Sequence, residues 1–425
     1  MPARAPIPIA VWGAGLRGHA YARYALDHPE EMRVVAVAEP DPIRRAAFAA
    51  RFNLPDAACF PDWQRLLEGP RQAEALFNCT MDRLHYASTL AALERGYPVL
   101  LEKPMSPVLA ESVALVRAAE AAGQLLQICH VLRYAPFWVT LRQIVHSGRL
   151  GQIISVDHRE NLAYWHMAHS YVRGNWREQA SAGPIILTKC SHDFDILGWI
   201  LEQPVVALSS FGSLAHFRPE NAPPNAPLRC TDGCPVAESC PFEATRRYAQ
   251  AGDFWWLNAL TFAPTAAARR AALETSPYGR CVYHCDNDVL DHQVVSMWLA
   301  DQTSVTLTLN GHSDEDCRTV RLDGSRATLY GTFGKAAQHL HLHDHLAGTV
   351  EALPLQTDDH YGHGGGDAGL VRAFLKTLRG EADPAQPSAR VSLESHLLAF
   401  AAEAARQAGQ VIQLDDFRRL SNAVL

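Results

Sequence analysis

The chain has 425 residues, is 48% hydrophobic and carries a formal net charge of −7, which is enough apolar material for large cores and suggests two domains. The negative charge, without a basic stripe, argues against a nucleic-acid partner. No apolar run approaches the roughly 18 residues that span a bilayer, and the first strand begins too early for a signal peptide. The sequence therefore predicts a cytoplasmic protein with no membrane partner, whose ten cysteines are reduced thiols or metal ligands.

A glycine-rich turn follows the first apolar segment. Residues 9–12 form the short apolar run of a buried parallel strand, and three glycines follow with G-x-G-x-x-G spacing. The first permits the sharp turn, the second lets backbone amides approach a pyrophosphate, and the third lets the helix pack closely on the strand. The phosphates would lie at the helix N-terminus, where unpaired N–H groups favour negative charge. The predicted dinucleotide-binding residues of this turn are Gly13, Gly15, Leu16, Arg17 and Gly18.

The second apolar segment ends in a carboxylate. Glu39 follows the strand-like residues 33–38 and lies 21 residues after Gly18, where a carboxylate would accept hydrogen bonds from the adenosine ribose. Arg44 and Arg45 come soon after and could instead hold a 2′-phosphate. The sequence therefore favours NAD as the cofactor and leaves NADP possible.

Strand-like and helix-like segments alternate to about residue 130, which predicts a parallel sheet. The buried segment 98–104 carries Glu102 and Lys103 at its carboxyl end, the edge where doubly wound sheets bind ligands. Only four of the 38 basic residues are Lys. A Lys that persists in such a chain is a candidate for a role that needs its titratable amine.

Five motifs follow one another along the chain: the glycine turn, Asn78-Cys79-Thr80 with His85, Glu102-Lys103-Pro104, Gly148-Arg149-Leu150-Gly151 and His192-Asp193-Phe194-Asp195. Their order and spacing resemble those of the Gfo/Idh/MocA family of oxidoreductases, named after glucose-fructose oxidoreductase and inositol dehydrogenase. The resemblance covers nearly the whole chain and implies an α/β fold: a Rossmann domain, then an α/β domain with an open, mainly antiparallel sheet that covers the nicotinamide. We expect the domains at residues 1–130 and 131–425, with a Pro- and Cys-rich insertion at about 212–285, and a homo-oligomer, dimer or tetramer.

The resemblance assigns cofactor binding to the motif residues after the glycine turn and catalysis to two side chains. Lys103 is the candidate general base, since burial can lower the pKa of an amine; the alternative is a surface ion pair with Glu102. His192 is the second candidate, as a neutral imidazole that relays the proton, or else a core histidine. The further cofactor-binding residues are Cys79, Thr80, His85, Glu102 and Lys103.

One position departs from the family pattern. The family has an Asp four residues before the catalytic His, and here that position is Thr188. Lys189, Asp193 or Asp195 are the residues nearby in sequence that could compensate.

An aromatic and basic stretch after residue 160 suits a sugar ring, because such ligands need aromatic faces and hydrogen-bond donors. The alternative is a well-packed interdomain loop. The predicted substrate-binding residues are Lys103, Arg133, Tyr164, Trp165, His166, Trp176, Lys189 and His192.

A cysteine group lies in the proline-rich insertion. Cys230, Cys234 and Cys240, with Cys281 or Cys285, could form a four-thiolate structural zinc site that stabilises a loop without its own core. Free thiols are the alternative, because the spacing is not that of a standard zinc knuckle.

The sequence as a whole predicts an NAD-dependent oxidoreductase that acts on a hydroxyl of a sugar, cyclitol or glycoside by hydride transfer. Two other readings stay open. One is redox-assisted glycoside cleavage, in which transient oxidation acidifies a neighbouring C–H bond and the aglycone leaves by elimination. The other is a catalytically idle dinucleotide-binding sensor, which the Thr at position 188 would suit.

Overall fold

The computed structural model describes residues 5–248, 257–261, 265–356 and 360–421. Within these ranges none of the helices is both long enough and apolar enough to cross a membrane.

The N-terminal part of the chain forms a six-stranded sheet in the order β3-β2-β1-β4-β5-β6. All of its paired strands run parallel, as the alternating pattern predicts. The central strand is buried along nearly its whole length, since it is covered on both faces. The strands are β1 (Ile7–Trp12), β2 (Met32–Ala38), β3 (Cys59–Phe60), β4 (Ala75–Asn78), β5 (Val99–Leu101) and β6 (Leu126–Ile128).

Helices connect these strands, and local sequence signals set their ends. Asp41 caps the third helix by accepting hydrogen bonds from the backbone N–H groups of Ile43 and Arg44, and Gly123 ends the sixth in a left-handed conformation. The helices are α1 (Leu16–Ala22), α2 (Tyr24–Asp27), α3 (Pro42–Phe52), α4 (Trp63–Glu68), α5 (His85–Glu94) and α6 (Leu109–Ala122).

The rest of the chain is built on a nine-stranded sheet in the order β14-β13-β12-β11-β7-β10-β9-β8-β15. Only β10 and β7 pair in parallel, so the predicted mainly antiparallel sheet is confirmed. Its strands alternate buried and exposed residues, so one face packs on helices and the other stays open. The strands are β7 (Ile153–Ala163), β8 (Val205–Ser213), β9 (His292–Leu299), β10 (Ser304–Ser313), β11 (Cys317–Gly324), β12 (Ala327–Gly334), β13 (Gln338–Asp344), β14 (Val350–Ala352) and β15 (Ile412–Gln413).

Helices make up much of the rest of this second part. A π-helix, Met167–Arg173, continues directly from a short α-helical turn. The α-helices are α7 (Pro136–His146), α8 (Tyr164–His166), α9 (Gln179–Ala182), α10 (Ile185–Thr188), α11 (Ser191–Leu201), α12 (Ala244–Tyr248), α13 (Leu257–Leu260), α14 (Ala266–Thr275), α15 (Gly366–Leu378), α16 (Ala389–Ala408) and α17 (Leu414–Leu420).

Helix α15 returns to the first sheet. Leu370, Val371 and Phe374 belong to the same buried core as Val11 and Phe77 of that sheet, and the Phe77 and Phe374 rings meet edge to face at 5.9 Å. A division of the chain at residue 130 does not describe this packing. As a result, the loop before α15 lies beside the glycine turn.

Candidate active site

The glycine turn between β1 and α1 is closed on one side and open on the other. Gly13 has a φ of +87°, and a Cβ there would lie 2.3 Å from the Cys79 carbonyl oxygen, so only glycine fits. A Cβ on Gly18 would lie 2.1 Å from the Gly13 oxygen. A Cβ on Gly15, just before Leu16 begins α1, would meet no described atom within 4 Å. The open space at a helix N-terminus fits a dinucleotide pyrophosphate.

Glu39 lies against this turn at the end of β2. Its carboxylate accepts hydrogen bonds from the backbone N–H groups of Ala14 at 2.8 Å and Asp41 at 3.0 Å, and the residue is buried. Each carboxylate oxygen has a second lone pair with which to accept a ribose hydroxyl. Arg45 donates to the Glu39 main-chain oxygen, so Arg45 and the Glu39 carboxylate lie at the same edge of the first sheet.

Arg17 connects the turn to two acidic groups. Its guanidinium donates to Asp367 at 2.8 and 3.1 Å and lies 3.7 Å from Glu102. Tyr21 donates its hydroxyl proton to Glu102 at 2.6 Å. Arg17 therefore makes its observed contacts within the protein and ties the glycine turn to β5 and α15.

The residues after β4 brace the edge of the sheet. The Thr80 hydroxyl donates to the Asn78 side chain at 2.8 Å. His85 is fully buried, and its two ring nitrogens lie 2.7 Å from the Pro104 carbonyl and 3.0 Å from the Thr80 carbonyl. In this structure His85 thus holds the segments after β4 and β5 together.

Lys103 lies just after β5 and is partly buried. Its ammonium donates to the main-chain oxygen of Thr188. Burial lowers the pKa of the Lys103 amine to about 8, with Glu102 opposing the shift and Lys189 adding to it. An amine in that range can accept a proton near neutral pH.

His192 lies in the first turn of α11 and is buried. Burial lowers its pKa well below the usual value, and the charge of Lys103 lowers it further, so the imidazole is neutral. Among the described residues its Nδ1 has no hydrogen-bond partner. An unpartnered buried nitrogen beside Lys103 is available to a ligand or to water.

The acidic residues after His192 are already paired. Asp193 accepts from His158 at 2.7 Å and from Arg318 at 2.8 Å, and Asp195 accepts both of its 2.7 Å hydrogen bonds from Arg133. Both carboxylates are thus buried in ion pairs with arginines. Arg133, which the sequence predicts to bind substrate, is 5% exposed and donates to Asp195, so its contact with substrate stays a prediction.

Lys189 and the aromatic stretch lie on the second-sheet side. Lys189 pairs with Glu160 at 3.1 Å. The rings of Trp165 and His166 stack with centroids 5.6 Å apart, and the His166 Nδ1 lies 3.0 Å from Asp316. The ring of Tyr164 packs on Phe242 at 5.9 Å.

Trp176 joins the two parts of the chain. Its indole N–H donates to Asp82 at 3.1 Å, and its ring lies 6.1 Å from that of Tyr171. Besides burial, the charge of Lys189 lowers the pKa of Lys103 and that of Asp82 raises it. Trp176, Lys189 and Lys103 therefore border one region between the two sheets.

Two family models match the chain. One, described as an oxidoreductase family with an NAD-binding Rossmann fold, matches residues 7–130, and the GFO/IDH/MocA C-terminal domain matches residues 138–337. This chain belongs to the Gfo/Idh/MocA family. The family assigned from the sequence motifs is confirmed, and the N-terminal domain is an NAD-binding Rossmann domain.

Curated relatives of this family member include inositol dehydrogenases. Inositol 2-dehydrogenase 4 of Saccharopolyspora erythraea is 30% identical over 53% of this chain and 60% of that protein. Inositol 2-dehydrogenase of Pseudomonas fluorescens is 29% identical over 48% of this chain and 56% of that protein. The matches thus span less than two thirds of these relatives.

A solved structure agrees with the fold over nearly the full length. The crystal structure of an inositol dehydrogenase homologue from Azotobacter vinelandii complexed with NAD+ has a TM-score of 0.69, with 18% identity. The alignment covers 97% of this chain and 98% of that one.

The cysteines that the sequence assigns to zinc lie near one another without forming a tight ligand cluster among the described residues, so the zinc site stays a prediction. Cys230, Cys234, Cys240 and Cys281 line one small cavity, but among the described residues no three thiols lie within 4.8 Å of one another. Tetrahedral zinc thiolates need sulfur atoms about 3.8 Å apart. Of the two candidates for a fourth ligand, Cys281 lines this cavity and Cys285 does not; neither forms a disulfide.

The insertion contains an apolar core of its own. Its described residues pack into a cluster separate from the two main cores, and 249–256 and 262–264 lie outside the described residues. The expectation of a loop with no core of its own was wrong. The buried members of this core are Ala244, Tyr248, Leu257, Leu273 and Tyr278.

Sequence reasoning missed two histidines beside His192. The ring centroid of His130 lies 6.0 Å from that of His192, and that of His363 lies 5.9 Å away. His363 was not separable from the other histidines of the chain by spacing alone. The run of glycines on both sides of it was the available signal.

Proposed function

We propose that this protein is an NAD-dependent oxidoreductase that acts on a hydroxyl of a sugar, cyclitol or glycoside. The observation that carries the proposal is the placement of Lys103. Its amine has a pKa lowered to about 8 by burial and lies at the carboxyl edge of the Rossmann sheet, where it is close enough to His192 to lower the pKa of that imidazole.

The glycine turn and Glu39 are the residues that would hold the dinucleotide, through the pyrophosphate and the ribose respectively. When bound, NAD+ supplies a hydride acceptor for the carbon that carries the hydroxyl. Lys103 then takes the hydroxyl proton, and neutral His192 orients or relays it. Trp176 and the stacked pair of Trp165 and His166 offer aromatic faces and donors to a polyhydroxylated ring.

Product analysis tests this function. Purified protein is incubated with NAD+ and a panel of cyclitols, aldoses and glycosides, and both NADH and aglycone are measured. Net NADH with a ketone product supports the dehydrogenase. Aglycone without net NADH supports redox-assisted cleavage, and binding of NAD+ without turnover of any compound supports the sensor.

Glu39→Ala is expected to weaken NAD+ binding more than NADP+ binding. The carboxylate faces the ribose position from the end of β2, and a 2′-phosphate would be repelled by it while a 2′-hydroxyl would donate to it. Titration calorimetry with both cofactors measures the two changes. An equal loss for both would mean that Glu39 only braces the turn through Ala14 and Asp41.

We also infer that the protein is a homo-oligomer. Phe211 is 71% exposed and Trp298 is 48% exposed, and the strand register puts both on the same open face of the second sheet, so that face offers two large apolar side chains to a second copy of the chain. Replacing both by Asp is expected to convert a dimer or tetramer to a monomer in light scattering. A monomeric wild type would contradict the inference.

A further inference from the structure

A glycine-rich loop, residues 360–366, leads into α15. It places the ring of His363 beside that of His192. The φ angles of His363 and the two glycines that follow are +54°, +61° and +91°, a left-handed run that is uncommon for any residue other than glycine. A Cβ on Gly362 would lie 2.4 Å from an Asp367 carboxylate oxygen. The backbone therefore packs directly on that carboxylate, and backbone strain of this kind is concentrated at functional sites.

Asp367 fixes the His363 ring. The His363 Nδ1 lies 2.9 Å from Asp367 Oδ1. Asp367 is 2% exposed and is also bound by Arg17 of the glycine turn. Although burial opposes it, Arg17 and His363 hold the pKa of Asp367 well below its usual range. Because the ionised carboxylate can only accept, Nδ1 of His363 carries the proton and Nε2 is left as the basic nitrogen.

His363 also connects His192 to solvent. The two ring centroids lie 5.9 Å apart, a separation that one water or one substrate hydroxyl can bridge. The side chain of His363 is 32% exposed, whereas His192 is 6% exposed. A proton released near Lys103 thus has an imidazole path outward through His192 and then His363.

We propose that His363 is an additional acid–base residue of this active site, with Asp367 as its positioning residue, so that this pair supplies the carboxylate–imidazole unit that Thr188 leaves incomplete. The inference rests on the proposed function. In the oxidation, the substrate C–H bond yields its hydride to NAD+ and the O–H proton goes to Lys103. Lys103 passes a proton to His192, whose other nitrogen releases one to His363 Nε2, and His363 passes it to water. The sum is alcohol and NAD+ giving ketone, NADH and one proton.

The main test uses His363→Asn. Asparagine tolerates the left-handed backbone, and its amide can still donate to Asp367, but it cannot carry a proton. We expect kcat to fall about 10- to 100-fold while the dissociation constant for NAD+, measured by calorimetry, stays within about twofold. His360→Asn, three residues away on the same loop and facing Arg23 and Asp27 instead, is the matched control and should keep wild-type kinetics.

A second variant separates proton transfer from a structural role. His363→Gly suits the left-handed backbone and opens the space of the ring, so added imidazole should restore part of kcat in a concentration-dependent way and leave NAD+ affinity unchanged. Asp367→Asn should lower kcat as well, and imidazole should not rescue it. Loss of kcat without imidazole rescue, or an NAD+ affinity lost in proportion to kcat, would make His363 a structural residue and overturn the proposal.

The Lys103→Arg variant distinguishes a failure of the role proposed for His363 from a failure of the proposed function. If Lys103→Arg loses turnover and His363→Asn keeps it, the dehydrogenase assignment stands and the role of His363 is wrong. If the wild type oxidises no member of the polyol panel, the proposed function itself fails, and the role of His363 fails with it.

Discussion

Replacing Lys103 by Arg is expected to reduce kcat for polyol oxidation by about 100-fold or more. The guanidinium keeps the positive charge but stays protonated throughout the working pH range, so it cannot take the hydroxyl proton. In the native protein, burial brings the pKa of this amine to about 8. Because the side chain lies beyond the glycine turn, at the end of β5, NAD+ affinity should change little. Steady-state kinetics with calorimetry of NAD+ binding measures both quantities.

Lys376→Arg is the matched control for this substitution. Lys376 lies in the last turn of α15 and has no contact in the site described above, so its conversion to Arg should leave kcat unchanged. If the Lys103→Arg protein oxidised substrate at the wild-type rate, Lys103 would contribute its positive charge and not act as the base. The base would then have to be sought at Lys189 or His192.

The same pKa sets the direction of the pH dependence. Oxidation requires the neutral amine, so the rate should rise as pH increases through about 8 and level off above it. Reduction of the ketone requires the ammonium form, so its rate should fall over the same interval. A profile of kcat against pH in both directions measures the effect, and Lys103→Arg should lose this inflection.

Much of the fold could be predicted because its signals are local. The glycine turn, the apolar strands and the order of the motifs are read from adjacent residues, and the family models match the same ranges. Helix α15 is different. Its apolar face shows that it is buried, but nothing in its own sequence says that it returns over more than 200 residues to pack with Val11 and Phe77 of the first sheet.

The candidate site likewise contains residues that local sequence signals identify and contacts that they cannot predict. Lys103 was identified from its position after a strand and from the rarity of Lys in this chain. The ion pairs of Asp193 with Arg318 and of Asp195 with Arg133 could not be predicted, because each joins residues that are distant in sequence. Those pairs occupy both of the acids that could compensate for Thr188. One of them also occupies Arg133, which the sequence predicts to bind substrate.

Gly15→Val is expected to abolish NAD+ binding while the protein keeps its fold. Gly15 has an extended backbone, with φ −79° and ψ −168°, which any residue adopts, and a Cβ there meets no described atom within 4 Å. The branched side chain would instead fill the space in front of the α1 N-terminus, where the pyrophosphate would approach the backbone amides. Calorimetry measures the loss of binding, and thermal unfolding monitored by circular dichroism measures the retained fold.

Gly13→Ala is the contrasting variant, because a side chain at Gly13 would point to the closed side of the turn, toward Cys79. With a φ of +87° and a Cβ placed 2.3 Å from the Cys79 carbonyl oxygen, even one methyl group forces the turn away from β4, so both the melting temperature and NAD+ binding should fall. Loss of binding without loss of stability at Gly15, together with loss of both at Gly13, would locate the dinucleotide at the open side of the turn. A Gly15→Val protein that still bound NAD+ with wild-type affinity would place the pyrophosphate elsewhere.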